Sequence, residues 1–378
     1  MKIRLFTPGP VEIPVRILRA LSAVPPHHRT DVFRDVMRRV TADLQWLHGT
    51  AGEVFILAAS GTGGMEAAVV NLLSPGDKAL VATAGKFGER WASILKAYGV
   101  PHETLAFEWG HAVDPAAIGK ALEMDPSIKA VFATHSETST GTVHDLESIA
   151  KLTKPRNVLL VVDGITSVGV HPLPQDAWGV DVVISGSQKG MMIPPGIATV
   201  SLAPWRAQAI EGQRLPRFYF DLVKARKSLP QGETAFTPPV SLVLALQESL
   251  AMMKEEGLAG LHTRHRKLAR AVQAGATALG CVLYSKSPAH SVTSLLPPEG
   301  VDASAIVKRL RETHGIYVAG GQDAIKGKVF RIGHMGAYDL ADVHVIIGAL
   351  EECISTLGKL PANGPAAATA AHAAWQAA

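Results

Sequence analysis

The feature that most constrains the fold of this 378-residue chain is a regular alternation of short apolar segments with amphipathic ones. The apolar runs EVFILAAS, KALVATA and KAVFATHS each precede a segment whose apolar residues recur at three- and four-residue steps. Buried strands that alternate with amphipathic helices are typical of a parallel sheet covered on both faces. The sequence therefore predicts an α/β fold, with a large domain built on a mostly parallel, doubly wound sheet.

The pattern changes near residue 240, where two long helical segments begin and a smaller set of strands and helices follows. We therefore predict an N-terminal arm over residues 1–25, a large domain over 26–255 and a smaller C-terminal α+β domain over 256–360. The alanine-rich tail over 361–378 is low in complexity, and its composition favours disorder over a weak terminal helix.

Composition narrows the class of protein. No apolar run reaches the roughly 18–20 residues that span a bilayer, and prolines interrupt the N-terminus before any signal-peptide core, so we expect a cytoplasmic protein without a membrane partner. The 37 Lys and Arg residues are dispersed and aromatic residues make up 6% of the chain, which argues against nucleic-acid binding. The two cysteines, Cys281 and Cys353, have neither CxxC nor zinc spacing, so we predict buried thiols and no metal site.

Four predicted strand ends carry small or polar residues, and ligands of doubly wound sheets bind beyond the carboxyl ends of the strands. ASGTGGMEA, residues 59–67, leads a strand into a glycine-rich helix start, which suits a phosphate as well as an ordinary turn. THSETSTG, residues 134–141, crowds polar residues at a second strand end. In LLVVDGITSVG, Asp163 closes a buried strand, where a carboxylate needs a metal, a cation or a protonated ligand nitrogen as partner unless it caps the next helix.

The fourth strand end is SGSQKGMMIPPG, in which Lys189 follows the apolar run VDVVIS. A lysine that is desolvated near other cations loses proton affinity and can form imines with carbonyls, although a surface lysine would also fit. Taken together, a phosphate cradle, a buried aspartate and a lysine are the groups that pyridoxal 5′-phosphate (PLP) requires: an anion site, a carboxylate at the pyridine nitrogen and an amine for the aldehyde.

These segments resemble the class V, fold-type I, PLP-dependent aminotransferases. SGTGGMEAAVVN, GKFGER, THSETSTGT, VDGITSVG, SGSQKGMMIPPG and RIGHMG are similar, in order, to segments of the alanine–glyoxylate/serine–pyruvate aminotransferase branch. The resemblance covers about residues 4–355 and leaves out the tail after about 360. It implies PLP as cofactor, a small amino acid and a 2-oxo acid as substrates, and a homodimer with shared active sites.

The resemblance also implies roles for individual residues. Lys189 would carry the Schiff base and move the substrate proton, and Asp163 would pair with the pyridinium. Phe87 would stack on the ring where relatives often have tryptophan, and Arg331 and Gly9 would bind the substrate. The remaining cofactor contacts would come from Thr62, Gly63 and Gly64 at the phosphate, Thr138 at the ring hydroxyl, Gln188 near the phosphate or ring, and Thr237 at the phosphate of the neighbouring subunit. Some relatives have a tyrosine where this chain has Thr234, so one phosphate contact is missing or replaced.

We therefore predict a ping-pong transaminase that moves an amino group from alanine or serine to a 2-oxo acid such as glyoxylate or pyruvate. The alternatives are the same fold with another donor, such as aspartate or 2-aminoethylphosphonate, a PLP lyase or cysteine desulfurase, and a binding protein that has lost catalysis. Desulfuration needs a mobile cysteine near the substrate, and both cysteines lie in predicted elements of the small domain. The pair His28-Arg29 either lines the entrance or caps the following helix.

Overall fold

The computed structural model describes residues 2–358 and 365–378. Its strands, in chain order, are β1 (Arg4–Leu5), β2 (Glu53–Ala59), β3 (Lys78–Thr83), β4 (His102–Ala106), β5 (Ile128–Thr134), β6 (Ser136–Glu137), β7 (Thr142–Val143), β8 (Leu159–Asp163), β9 (Val182–Gly186), β10 (Gly196–Leu202), β11 (Val282–Leu283), β12 (Val292–Leu296), β13 (Ile316–Tyr317), β14 (Ala319–Gly320) and β15 (Phe330–Gly333). Its helices are α1 (Val15–Leu21), α2 (Asp31–His48), α3 (Gly61–Leu72), α4 (Lys86–Ala97), α5 (Pro115–Met124), α6 (Leu146–Thr153), α7 (Gln175–Trp178), α8 (Leu222–Ser228), α9 (Val240–Ala278), α10 (Ala303–His314), α11 (Leu340–Gly358) and α12 (Ala366–Ala377).

A seven-stranded sheet with the order β2-β10-β9-β8-β5-β3-β4 forms the centre of the large domain. Strand β10 is antiparallel to both of its neighbours, and the other strands run in one direction. Both faces are buried, because Val54 and Ile56 of β2 belong to one apolar core and Phe55 and Leu57 to the other. The predicted α/β fold with a mostly parallel sheet is therefore confirmed, and the parallel strands all end at one edge.

A four-stranded antiparallel sheet with the order β11-β12-β15-β14 carries the C-terminal part of the chain. Its core includes Phe330, Ile332 and Leu350. The long helix α9 is interrupted at Gly257, whose backbone (φ 75°, ψ 156°) is not helical, and this break lies beside the boundary predicted between residues 255 and 256. Among the described residues, no helix is long and apolar enough to cross a membrane.

The two ends of the chain differ from what the sequence favoured. Strand β1 of the predicted irregular arm pairs in parallel with β13 of the small domain, and Phe6 lies in the small-domain core. Helix α12 forms where composition favoured disorder, so that expectation is wrong for residues 366–377, while 361–364 lie outside the described residues. Alanine has the highest helix propensity, and the small side chain of Ala371 lets α12 lie close to Gly275 of α9.

Candidate active site

A cavity of about 430 Å³ lies beyond the carboxyl ends of β2, β3, β5, β8 and β9. Each of these strands is followed by residues that reach the cavity, because neighbouring parallel strands end at the same edge of the sheet. The predicted site residues that line it are Thr62, Phe87, Thr138, Asp163, Gln188 and Lys189. Segments separated by more than a hundred residues in the sequence thus meet around one space.

Lys189 lies three residues after β9 and exposes 9% of its surface. Its Nζ donates a hydrogen bond to the carbonyl oxygen of Pro8. Burial is the main cause that lowers the pKa of Lys189 to about 8, and the nearby cations Arg331 and Arg90 lower it further, while Asp163 opposes the shift. A larger fraction of this amine is therefore neutral, and so nucleophilic, near neutral pH than for an exposed lysine.

Gly9 lies directly against Lys189. A Cβ atom at residue 9 would stand 2.6 Å from Nζ and 2.5 Å from Cδ, and the φ of +116° also disfavours any other residue. The structure thus brings Gly9 to the lysine, and a glycine there leaves the amine its room. Its predicted contact with substrate stays a prediction.

Asp163 is the last residue of β8 and exposes 3% of its surface. Its Oδ1 accepts a hydrogen bond from the N–H of Ile165 at 2.9 Å. Burial raises the pKa of Asp163 to about 7, because the hydrogen bond from Ile165 and the positive charges of Arg90 and Lys189 only partly compensate the desolvation. A ligand with a protonated nitrogen next to this carboxyl group would stabilise its ionised form.

The start of α3 forms one side of the cavity, and the residues of this helix start that line it are Ser60, Gly61 and Thr62. Ser60 makes no side-chain cap, and within the described part of the chain no acceptor contacts the N–H groups of Gly61 and Thr62. These groups are therefore available to an anion, and the partial positive charge of the helix N-terminus adds to the attraction.

Gly63 and Gly64 follow in the first turn of α3, and their predicted phosphate contacts stay predictions. Their N–H groups already donate to the carbonyl of Ser60, at 2.8 and 3.3 Å. Gly63 faces Ala59, and Gly64 packs against Ile184, so these glycines allow α3 to approach the sheet. The sequence argument identified this helix start, and of the three residues that it named there, Thr62 lines the cavity while Gly63 and Gly64 do not.

Phe87 and Arg90 reach the cavity from the first turn of α4. The guanidinium carbon of Arg90 lies 4.7 Å from the centroid of the Phe87 ring, and Arg90 Nη1 donates to Thr62 Oγ1 at 3.0 Å. The sequence argument missed Arg90, although GKFGER places it three residues after Phe87 and therefore on the same helix face. It also missed Ile165 and Thr166 as lining residues, whereas Ser60 and Gly61 lie in the segment that it assigned to a phosphate.

Thr138 and Gln188 are two further polar residues that line the cavity. Thr138 donates from Oγ1 to Thr166 Oγ1 at 3.1 Å, which leaves the Thr138 oxygen able to accept a bond. Gln188 Oε1 is buried and has no hydrogen-bond partner in the structure. An orphaned acceptor at this depth is costly unless a ligand supplies a donor.

Arg331 approaches the same region from β15 of the small domain. It exposes 6% of its surface, and it donates from Nη1 to the carbonyl of Thr138 at 3.0 Å and from Nε to that of Gly320 at 2.9 Å. No carboxylate lies within ion-pair distance of it among the described residues, and burial lowers its pKa to about 10. A buried guanidinium that is held only by carbonyls can bind a substrate carboxylate.

The remaining candidates lie elsewhere on this chain. Thr237 is exposed and lines a separate surface pocket with Tyr219 and Phe236, so a role at the phosphate requires a second subunit. His28 and Arg29 line a neighbouring pocket and do not reach the cavity. The free thiols of Cys281 and Cys353 are buried, and burial raises the pKa of each to about 12, which disfavours a nucleophilic thiolate.

Comparison with known proteins identifies the family. The model of the class-V aminotransferase family matches residues 21–338. The chain is 44% identical to a protein of Synechococcus sp. named soluble hydrogenase, small subunit (97% of this chain, 98% of that protein), and 37% identical to the serine–glyoxylate aminotransferase of Methylorubrum extorquens (97% and 94%). The solved aspartate aminotransferase of Thermus thermophilus, of subgroup IV, is similar with a TM-score of 0.88 at 34% identity (94% and 99%). The chain therefore belongs to the class-V aminotransferases, as its motifs predicted.

Proposed function

We propose that this transaminase binds PLP through Lys189 and transfers the amino group of a small amino acid, alanine or serine, to a 2-oxo acid such as glyoxylate or pyruvate. The observation that carries the proposal is the pairing, in one cavity, of a desolvated lysine with a buried aspartate whose pKa values burial has moved toward each other, to about 8 and about 7. Perturbed titratable groups in a cleft are typical of catalytic sites. Family membership implies the cofactor, and the resemblance supports the choice of substrates.

The residues of the cavity fit PLP on independent observations. The unpaired N–H groups of Gly61 and Thr62 suit its phosphate, and the buried carboxyl of Asp163 suits its ring nitrogen. The orphaned oxygen of Gln188 awaits a donor. Lys189 supplies the amine that holds the aldehyde. Each of these groups would otherwise bear an unfavourable desolvation cost, so the cofactor stabilises the site as well as equipping it.

The chain's own residues then divide the work of amino transfer. PLP, when bound, supplies an electron sink for the charge that develops at the substrate Cα. Asp163 would hold the ring nitrogen in its protonated form, and Arg331 would bind the substrate carboxylate. Lys189 Nζ would take the proton from Cα of the amino donor in the first half of the reaction and deliver a proton to Cα of the new amino acid in the second. The carbonyl of Pro8, which accepts from Lys189 Nζ, is positioned to hold the amine while it is not covalently linked.

A donor panel tests the proposal directly. The purified protein should be yellow, and borohydride should bleach the band and leave the cofactor attached to Lys189 in a peptide map. Alanine or serine should convert the band, whereas aspartate and 2-aminoethylphosphonate should do so slowly or not at all. Conversion by aspartate alone would favour the activity named for the Thermus relative, and a bound cofactor that no donor converts would favour a non-catalytic protein.

A hydrogenase subunit is the second candidate, because the Synechococcus relative bears that name. The whole chain has two cysteines, fewer than the four thiolates that usually hold an iron–sulfur cluster. His314, Glu352 and Cys353 are the potential metal ligands that the described residues bring together, but Arg309 already binds Glu352. Dye reduction by hydrogen gas, measured on the same preparation as the donor panel, separates the two candidates.

The proposal extends to a homodimer with shared active sites that works in the cytoplasm, without nucleic-acid or membrane partners. Two observations support the dimer. Phe218 exposes 71% of its surface and lies beside Phe236, at 5.7 Å between ring centroids, in the same loop region as Thr237. Thr237 does not reach the cavity of its own chain. A mass of two chains by light scattering, together with weaker PLP binding in Thr237→Ala, would support a site completed across the interface.

A further inference from the structure

Glu137 is a carboxylate that the proposed chemistry does not use, and it is one of the most deeply buried charged groups of the chain. It lies in the hairpin formed by β6 and β7 and exposes 0% of its surface. No Lys, Arg or His within the described residues comes within ion-pair distance of it. Because an unpaired buried carboxylate is costly, its surroundings must compensate the desolvation.

All the hydrogen-bond partners of the Glu137 carboxylate among the described residues are donors. It accepts from the N–H groups of Phe87 (3.1 Å), Gly88 (2.9 Å) and Ser139 (3.0 Å), and from the hydroxyl of Ser139 (2.5 Å). Burial raises the pKa of Glu137, and the hydrogen bonds from Ser139, Gly88 and Phe87 oppose that shift. A set of donors without an acceptor fits the ionised carboxylate, which can only accept.

Two of these donors belong to the first turn of α4. The N-cap residue of this helix is Gly85, which has no side chain to cap it. Glu137 takes the N–H groups of Phe87 and Gly88 instead, and Ser139 Oγ accepts from Lys86 N at 3.0 Å. The helix is therefore capped by a turn from about fifty residues later in the chain, and a negative charge stands at its positive end.

Gly85 makes this arrangement possible. A Cβ atom at residue 85 would lie 2.5 Å from Glu137 Cδ and 2.6 Å from Ser139 Oγ, so any other residue would displace the capping turn. The same turn also contacts the opposite wall of the site, because the carbonyl of Thr138 accepts from Arg331. One buried turn thus contacts both the helix that presents Phe87 and the arginine proposed to bind the substrate.

We propose that Glu137 is a positioning residue for transamination, which fixes the backbone of Phe87 so that its ring stands where it can stack on the cofactor. Glu137 touches neither the cavity nor the reacting atoms, and it acts through the N–H groups of Phe87 and Gly88. The inference rests on the proposed function, in which Phe87 covers the ring of PLP.

The first test compares E137Q with a matched cap variant. Gln has the shape of Glu but turns one acceptor into a donor, which faces the N–H groups of α4 or Ser139. D145N is the control, because Asp145 caps α6 through Ser148 N at 3.0 Å and lies outside the cavity. After reconstitution of the apoprotein with PLP, E137Q should bind PLP about 3- to 10-fold more weakly, with reduced visible circular dichroism of the bound cofactor, and D145N should match the wild type.

A double-mutant cycle decides whether the effect passes through Phe87. In the F87A background, E137Q should change the Kd for PLP by less than about two-fold, because the ring that it positions is gone. An equal weakening in both backgrounds, or wild-type affinity and dichroism in E137Q, would overturn the inference. If E137Q does not fold, G85A, which displaces the same carboxylate by a Cβ, takes its place in the cycle. A wild-type protein that binds no PLP would overturn the proposed function as well, so the two failures are distinguishable.

Discussion

Two helices begin at the same edge of the large sheet, and their N-termini are treated in opposite ways. The first turn of α4 is filled by the chain itself, through Glu137 and Ser139. The first turn of α3 has no side-chain cap, and the N–H groups of Gly61 and Thr62 face the cavity without an acceptor among the described residues. We therefore expect the N-terminus of α3 to bind a ligand anion, and the N-terminus of α4 to hold a wall of the site.

The two buried carboxylates of this edge differ in the same way. Glu137 is surrounded by four hydrogen-bond donors. Asp163 has one backbone donor and faces the cavity. A buried carboxylate with few hydrogen-bond donors from the protein needs further donors from a ligand. Asp163 therefore indicates the position of a ligand site more clearly than Glu137 does.

The largest effect should come from removing the amine of Lys189. Lys189→Ala should lower kcat by at least about 10³-fold, because it removes both the attachment of the cofactor and the proton carrier. The production of 2-oxo acid from alanine or serine is the measurement. Lys151→Ala, at an exposed lysine paired with Glu147, should leave kcat within about two-fold. Activity above a tenth of the wild type in Lys189→Ala would place the chemistry elsewhere.

A carboxylate introduced at the uncapped N-terminus of α3 should make it resemble the N-terminus of α4, which Glu137 caps. Ser60→Asp puts a carboxylate at the N-cap of α3, where it should weaken PLP binding about 100-fold by repelling the phosphate. The same change should stabilise the apoprotein by about 1 kcal/mol as a new cap. Cofactor titration and urea unfolding measure the two effects, with Ser60→Ala as the uncharged control. Unchanged PLP affinity would mean that the phosphate does not bind at this helix.

The pH dependence of apoprotein stability tests whether the pKa of Asp163 is raised in the folded state. Because the folded-state pKa of Asp163 is raised to about 7, the folded state holds a proton that the unfolded state has lost above about pH 4. The contribution of Asp163 to stability should therefore fall by about 2 kcal/mol between pH 5 and pH 7, and Asp163→Asn should remove that fall. The difference between the urea unfolding curves of the two proteins measures it.

Saturating PLP provides the control for this pH effect. A protonated ring nitrogen beside Asp163 keeps the carboxyl ionised in the folded state, so the difference between wild type and Asp163→Asn should lose its slope across this window. If the slope is the same with and without PLP, Asp163 does not face the ring nitrogen.

The last prediction concerns the N-terminus of α4, which the chain itself caps. Gly85→Ala should destabilise the apoprotein by about 2 kcal/mol, because its Cβ would collide with the capping turn at Glu137 and Ser139. Gly348→Ala is the control, since Gly348 lies exposed within α11 with nothing within 4 Å of a new Cβ, and it should be neutral or slightly stabilising. Equal behaviour of the two variants in urea would show that the turn is not tightly seated on α4.

Sequence reasoning identified residues that the structure brings together around the cavity. Asp163 ends a parallel strand, and Lys189, Thr138 and Thr62 each lie shortly after one, so the topology of the sheet brings these positions together. The alternation of strands and helices predicted the fold, and the resemblance of these motifs to a known family implied the family and the transaminase activity. The roles of the individual residues stay predictions until the variants are measured.

The sequence argument did not predict how Glu137 and Ser139 cap helix α4. Helix α4 has no capping residue in its own sequence, because its cap is a turn about fifty residues away that only the folded chain brings near. The strand pairing of residues 4–5 and the packing of α12 depend in the same way on distant partners. Local sequence patterns therefore predicted which side chains lie at the strand ends, whereas the contacts that position those side chains depend on residues distant in the sequence.

The pairing of β1 with β13 has a consequence for the order in which the protein is made. Arg4 lies opposite Ile316, so β1 finds its partner strand only after residues far later in this chain have been translated. Pro8 and Gly9, which rest on Lys189, follow that strand by a few residues. A chain that ends before β13 lacks this anchor for the segment that carries Pro8 and Gly9, so we expect the cover over Lys189 to be looser until β13 has been made.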